Sequence, residues 1–170
     1  FDVVGNTEGS TIYFEHEKGT DEALATGINA ITSNAGWDTI KHHDFLTDVI
    51  TEFKRNNIRT SVFVDPTLKM IEGAKNINAE RIELYTEEFA DQFTKGNLDA
   101  IKPYTECAIL ANDLNIGVNA GHDLSLDNIK FFKENIPGLL EVSIGHALIS
   151  ESIYLGIENV INMYLNKLKG

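Results

Sequence analysis

The sequence predicts an α/β fold with parallel strands, and three observations carry that prediction. Short β-rich apolar runs recur at Thr60–Val64, Arg81–Tyr85, Ile116–Asn119 and Leu140–Ile144. Longer stretches with helical apolar spacing lie between them, and turn-forming residues mark the junctions. Strand, helix and strand alternating at this rhythm demand right-handed crossovers, and hence parallel neighbours.

Taken in order, the first thirty residues are the least legible. Ser10–Phe14 has strand composition, but GNTEGS before it and EHEKGTDE after it are polar and turn-rich. Ile40–Asn57 places Phe45, Leu46, Val49, Ile50 and Phe53 on one helical face. Asp65-Pro66 ends the strand Thr60–Val64 and opens a turn, with Thr67 as a helix cap. Leu98–Asn115 is helical through Ile101, Thr105, Ala108 and Ile109. Leu126–Asn135 follows a cap at Asp123 or Ser125, and Pro137-Gly138 stops it ahead of the last strand. Ser150–Lys169 closes the chain with Ile153, Leu155, Ile157, Val160, Ile161, Tyr164, Leu165 and Leu168 on helical spacing. Neither a long linker nor a solenoid-type repeat interrupts this order, so residues 1–170 read as one domain.

Composition narrows the partners. The chain has 170 residues, 14 Lys+Arg against 26 Asp+Glu, and a formal charge of −12. At 42% hydrophobic it can bury a core, which excludes global disorder. So acidic a chain is a poor partner for nucleic acid or an anionic membrane, which need clustered Lys and Arg. Small phosphorylated ligands remain open, because a few N–H groups at a helix start can hold them. Cys107 is the single cysteine, so an intrachain disulfide and a Cys-rich zinc site are excluded, and a reducing, cytoplasmic setting is expected. The opening FDVVGNTEGS lacks the basic and apolar regions of a secretion signal, and no apolar run reaches the roughly 18–20 residues of a membrane helix.

Polar residues at the strand ends are the candidate site. Parallel strands bring their C-terminal ends to one rim, which gathers Asp65, Tyr85-Thr86, Gly121-His122-Asp123 and Gly145-His146. His122, after a tight turn at Gly121, either transfers protons or only hydrogen-bonds a loop. Gly145-His146 begins a helix whose free N–H groups either cradle a phosphate or belong to an ordinary turn. Glu83, within its strand, either points into a polar barrel mouth or faces solvent. The loop Thr32–Gly36 offers hydroxyl and amide donors or is a plain turn. His42-His43-Asp44 reads as surface, because adjacent helical histidines diverge and no third ligand is suitably spaced. Cys107 lies on an apolar helical stripe and reads as core.

Together TSVFVDP, RIELYTEEFA, GVNAGHDLSLDNI and IPGLLEVSIGHALISESIYLG, with INAITSNAGWDT upstream, resemble the pyridoxine 5′-phosphate synthase family of vitamin B6 biosynthesis. The likeness is dense from about Ile28 to the C-terminus, and residues 1–27 match it poorly. It implies a TIM (β/α)8 barrel and a transferase that joins 1-deoxy-D-xylulose 5-phosphate to 3-amino-2-oxopropyl phosphate. The products are pyridoxine 5′-phosphate, phosphate and water. It implies no metal or organic cofactor, and a homo-oligomer, typically an octamer. Carried onto this chain, it makes His122 the proton donor. Asp123, Gly145 and His146 contact the aminoketone phosphate, Thr32 the deoxyxylulose phosphate, and Glu83 lines the site.

A (β/α)8 barrel takes roughly 200–250 residues. The expectation is therefore an incomplete barrel lacking N-terminal strands, with Val4 where the family carries a catalytic glutamate. Such a barrel would expose strand edges and apolar inner layers. The alternative function is a catalytically inactive barrel fragment that binds phosphate or serves as an assembly subunit.

Overall fold

The structure is a computed structural model that describes residues 37–169 in full and residues 3–6 and 9–12 as backbone strands. Six strands form one sheet in sequence order. β1 (Val3–Asn6) and β2 (Gly9–Ile12) pair antiparallel, Val3 opposite Ile12 and Asn6 opposite Gly9. The two residues between them are far fewer than the roughly dozen that a parallel crossover needs, so the chain reverses. From β2 onward every pairing is parallel, through β3 (Arg59–Val64), β4 (Arg81–Tyr85), β5 (Gly117–Gly121) and β6 (Leu139–Ser143). Among the described residues the sheet remains open, with β1 and β6 as its ends. The predicted α/β class with an incomplete barrel is the architecture observed.

The helices cover one face. They are α1 (His43–Arg55), α2 (Leu68–Asn76), α3 (Glu87–Thr94), α4 (Lys102–Asp113), α5 (Ile129–Asn135), α6 (His146–Leu155) and α7 (Ile157–Leu168). A 3-10 turn at Leu98–Ile101 leads into α4. Strand alternation places Val62, Val64, Ile82, Leu84, Val118 and Ala120 against this layer. They meet Ile71, Ala74, Phe89, Tyr104, Cys107, Ala108 and Phe132, all buried. Cys107 is core as expected, and burial pushes its thiol up to about 12. A smaller cluster of Leu126, Ile129, Val160 and Tyr164 fastens α5 to α7.

Three differences from the sequence reading have physical causes. The single helix expected over Ser150–Lys169 starts earlier, at His146, and is two helices separated by Gly156, whose φ of +81° no continuing helix accepts. Thr67 stands at the expected cap position, but its side chain makes no cap hydrogen bond to α2. Gly73 of α2 lies so close to Thr39 that an added Cβ would fall 2.0 Å from Thr39 Oγ1. Ser125 does not cap α5 directly; it accepts from the Asp127 amide at 3.3 Å, and α5 begins after Asn128. The Asp38 carboxylate caps the turn before α1, accepting from the amides of Ile40 at 3.0 Å and Lys41 at 2.8 Å. Of the adjacent histidines, His43 is paired with Asp44 at the surface, whereas half-buried His42 sets its ring edge-on to Trp37.

Candidate functional site

The sheet's other face is polar, and the parallel register arranges it in rows. Arg81 lies beside Ser61 and Gly117, Glu83 beside Phe63 and Asn119, and Tyr85 beside Gly121. Across the next pairing, Asn119 faces Glu141 and Gly121 faces Ser143. The apolar inner layers expected of an open barrel are therefore replaced by charge at the N-terminal ends of these strands. Glu141 accepts from Arg59 at 2.9 Å and from Arg81 at 2.9 Å. Asn119 joins them, donating to Glu141 at 3.0 Å and accepting from Arg81 at 3.2 Å. Two cations sharing one carboxylate are held by hydrogen bonds throughout, which a half-buried charge requires.

Toward the C-terminal rim stands Glu83, only 5% exposed. Its carboxylate lies over the Gly121 backbone, where a Cβ would fall 2.1 Å from Oε1. Of the two orientations open in the sequence, Glu83 takes the inward one, and Gly121 is glycine because that carboxylate occupies its side-chain space.

Beyond Gly121 the chain turns through two left-handed residues, His122 at φ +82° and Asp123 at φ +58°. Such backbone costs an L-residue on the order of 1–3 kcal/mol and persists only where its surroundings enforce it. Thr86, fully buried, supplies one restraint: its hydroxyl donates to the Gly121 carbonyl at 2.7 Å and also contacts the His122 carbonyl. Asn128 supplies another, donating to the Asp123 carbonyl at 3.3 Å. The His122 imidazole meets the Asp123 carboxylate through Nδ1 at 3.0 Å and the edge of the Tyr85 ring at 4.9 Å between centroids. The Tyr85 hydroxyl donates to Glu87, and partial burial together with that carboxylate raises its pKa above the usual phenol value. Glu87, His122 and Asp123 bring one ligand atom each within 4.8 Å, yet Glu87 accepts from Tyr85 and Asp123 pairs with His122.

Gly145 and His146 lie at the same rim. Two residues after Ser143, which pairs with Gly121, Gly145 caps α6 and His146 is its first residue; both are exposed. Ile149 donates back to the Gly145 carbonyl at 3.3 Å, and the first-turn amides before it have no intrahelical acceptor. The topology thus brings His122, Asp123, Glu83 and the start of α6 to one end of adjacent strands. Thr32 lies outside the described residues. A cavity of about 550 Å³ at the other end of β6, lined by Lys130, Lys133, Lys167 and Gly138, is remote from these groups.

Sequence reasoning overlooked Arg59, Arg81, Asn119 and Glu141. Their signal was the two-residue spacing of polar positions opposite Val62 and Val64, Arg59 with Ser61, Arg81 with Glu83, and Glu141 with Ser143. Thr86 was legible as a polar strand-end residue but not as a restraint on the His122 turn, and Asn128 had no comparable signal, because a buried restraint on a turn looks like any other polar loop residue.

Residues 26–170 match the family described as pyridoxal phosphate biosynthesis protein PdxJ. The chain is 60% identical over 171 residues to the pyridoxine 5′-phosphate synthase of Flavobacterium johnsoniae, covering 99% of this chain and 72% of that one. It is 65% identical over 141 residues to the enzyme so named from Christiangramia forsetii, covering 83% of this chain and 60% of that one. With its namesake in Cytophaga hutchinsonii the identity is 51% over 171 residues, covering 99% and 72%.

Proposed function

The chain belongs to the PdxJ family of pyridoxal phosphate biosynthesis proteins, and from that membership we propose that it acts as a pyridoxine 5′-phosphate synthase. Its substrates are then 1-deoxy-D-xylulose 5-phosphate and 3-amino-2-oxopropyl phosphate. The condensation releases one inorganic phosphate and water as the pyridine ring closes. The observation that carries the reading is the register of β5 against β6, with Gly121 beside Ser143, so that His122 and the start of α6 follow paired residues at one rim.

In this reading His122 donates protons to the oxygens that leave as water. The Asp123 carboxylate engages Nδ1 and orients the ring, and Nε2 makes the transfer. Amides of the first turn of α6, at Gly145 and His146, hold the aminoketone phosphate, whose negative charge the helix dipole favours. Asp123 contacts the same substrate through its backbone, Thr32 contacts the deoxyxylulose phosphate, and the Glu83 carboxylate lines the cleft. Assembly as a homo-oligomer and a cytoplasmic setting belong to the same proposal. No helix of the described residues is long and apolar enough to cross a membrane.

The test is direct. The chain is incubated with both phosphorylated substrates while inorganic phosphate and pyridoxine 5′-phosphate are followed. Turnover that falls by about 10²-fold or more in His122→Ala is expected for a lost general acid. Undiminished turnover in that variant removes His122 from its assigned role, and wild-type protein that makes no product refutes the synthase reading.

A further inference from the structure

Glu151, on α6, makes contacts that the proposed chemistry has not used. Its carboxylate accepts from two other elements: the Tyr164 hydroxyl on α7 at 2.6 Å, and the Leu126 amide in the loop between β5 and α5 at 3.1 Å. Both partners are buried and belong to one apolar cluster with Ile129 and Val160. A carboxylate at the edge of such a cluster forms strong, directional bonds.

The loop it grips is the one that begins with left-handed His122 and Asp123. Asn128 holds that loop from within, accepting from the Ser125 amide at 2.9 Å and donating to the Asp123 carbonyl. Glu151 holds it from outside, and the helix from which it does so is the one that starts at Gly145-His146. One side chain therefore ties the segment carrying the imidazole to the segment carrying the free amides.

We propose that Glu151 is a positioning residue that sets the His122 loop against the start of α6, so that an anion held at Gly145-His146 and the His122 imidazole address the same substrate. The proposal rests on the synthase reading above and names a residue that acts through others. Misplacement by about 1 Å in a site of this kind costs up to about 10²-fold in rate.

The experiment compares wild type, Glu151→Gln, Glu151→Ala and Tyr164→Phe. Steady-state kinetics with both substrates are combined with amide hydrogen exchange across residues 122–128, with and without inorganic phosphate. Glu151→Ala is expected to lower kcat about ten-fold or more while KM changes little, with Gln, which keeps one acceptor, recovering part of the loss. Tyr164→Phe retains the Leu126 contact and should fall between wild type and Glu151→Ala. In wild type, phosphate should slow exchange in residues 122–128, and in Glu151→Ala that coupling should vanish. A variant that loses stability but keeps kcat and the phosphate effect overturns the proposal, because Glu151 is then only a structural clasp. The exchange arm needs no turnover. If wild type is inactive yet phosphate protects the loop through Glu151, the coupling stands and the synthase reading falls. Protection that is absent from wild type overturns the coupling.

Discussion

Adding a methyl group at Gly121 would test how the interior of the site is packed. An Ala Cβ there falls 2.1 Å from Glu83 Oε1, well inside contact, and 3.0 Å from Ser143 Cβ, which is tight. The Glu83 carboxylate must move, and it is 95% removed from solvent, so it loses a built position without gaining water. Overpacking of this size costs typically 1–3 kcal/mol, and disturbing a buried carboxylate adds to it, so Gly121→Ala should destabilise the chain by about 3 kcal/mol. For a chain of this length that corresponds to a fall in Tm of about 6–12 °C. The decisive assay is a double-mutant cycle by thermal and urea unfolding with Glu83→Ala. Once the carboxylate is gone, the severe contact goes with it and the 3.0 Å approach to Ser143 Cβ remains, so most of the penalty should disappear, giving a coupling of about 1–3 kcal/mol. If Gly121→Ala costs as much in the Glu83→Ala background as in wild type, Glu83 does not occupy the space above Gly121, and the inward orientation of that carboxylate is wrong.

Further outcomes follow from the same contacts. Thr86→Val keeps the volume but removes the hydroxyl from the Gly121 and His122 carbonyls. It should lower stability by about 1–3 kcal/mol and loosen the His122 turn, measured by urea unfolding and by amide exchange at residues 121–123. The amides of Lys41, and then of Ile40, hold the Asp38 carboxyl below its ordinary value of 3.8. A depressed folded value stabilises the protein above that pH, and the contribution is lost as pH falls through the folded value. Tm measured from pH 6 to pH 2 should therefore drop less steeply for Asp38→Ala than for wild type at the acid end. Burial pushes the Cys107 thiol up to about 12, so at pH 8 iodoacetamide should leave it unmodified in the folded chain and alkylate it in urea, with mass spectrometry as the readout.

The sequence was most informative where periodicity and burial coincide. Arg81–Tyr85 reads as a strand and is one, because alternating Ile82 and Leu84 leave no competing helical face. The other strand limits shift by one or two residues at one end or both, since edges are set by pairing partners that a single run does not reveal. The split at Gly156 was hidden because the apolar residues on either side continue a helical spacing, and only the backbone's left-handed turn shows the break. Of the site, His122 and Gly145-His146 were legible as polar groups following apolar strands. Thr86 was legible only as a polar strand-end residue and Glu151 not at all, since each acts by reaching an element distant in sequence, and no local pattern encodes that reach; Asn128 acts within its own loop, where it looks like any polar loop residue. The charged inner face lay in plain view as alternate polar residues, but taken run by run those charges looked like ordinary strand ends.

The ion pair between Arg59 and Glu141 has a consequence for shape. These residues belong to β3 and β6, the first and last of the four strands that follow β2, with two strands between them. On a flat sheet three spacings of roughly 4.8 Å would hold those backbones about 14 Å apart, beyond comfortable reach of the two side chains, so a 2.9 Å contact reports a sheet bent toward them. The bridge is a chord drawn across an arc, and concentrated salt, which screens charge, would be expected to slacken the bow before it loosens the strands themselves.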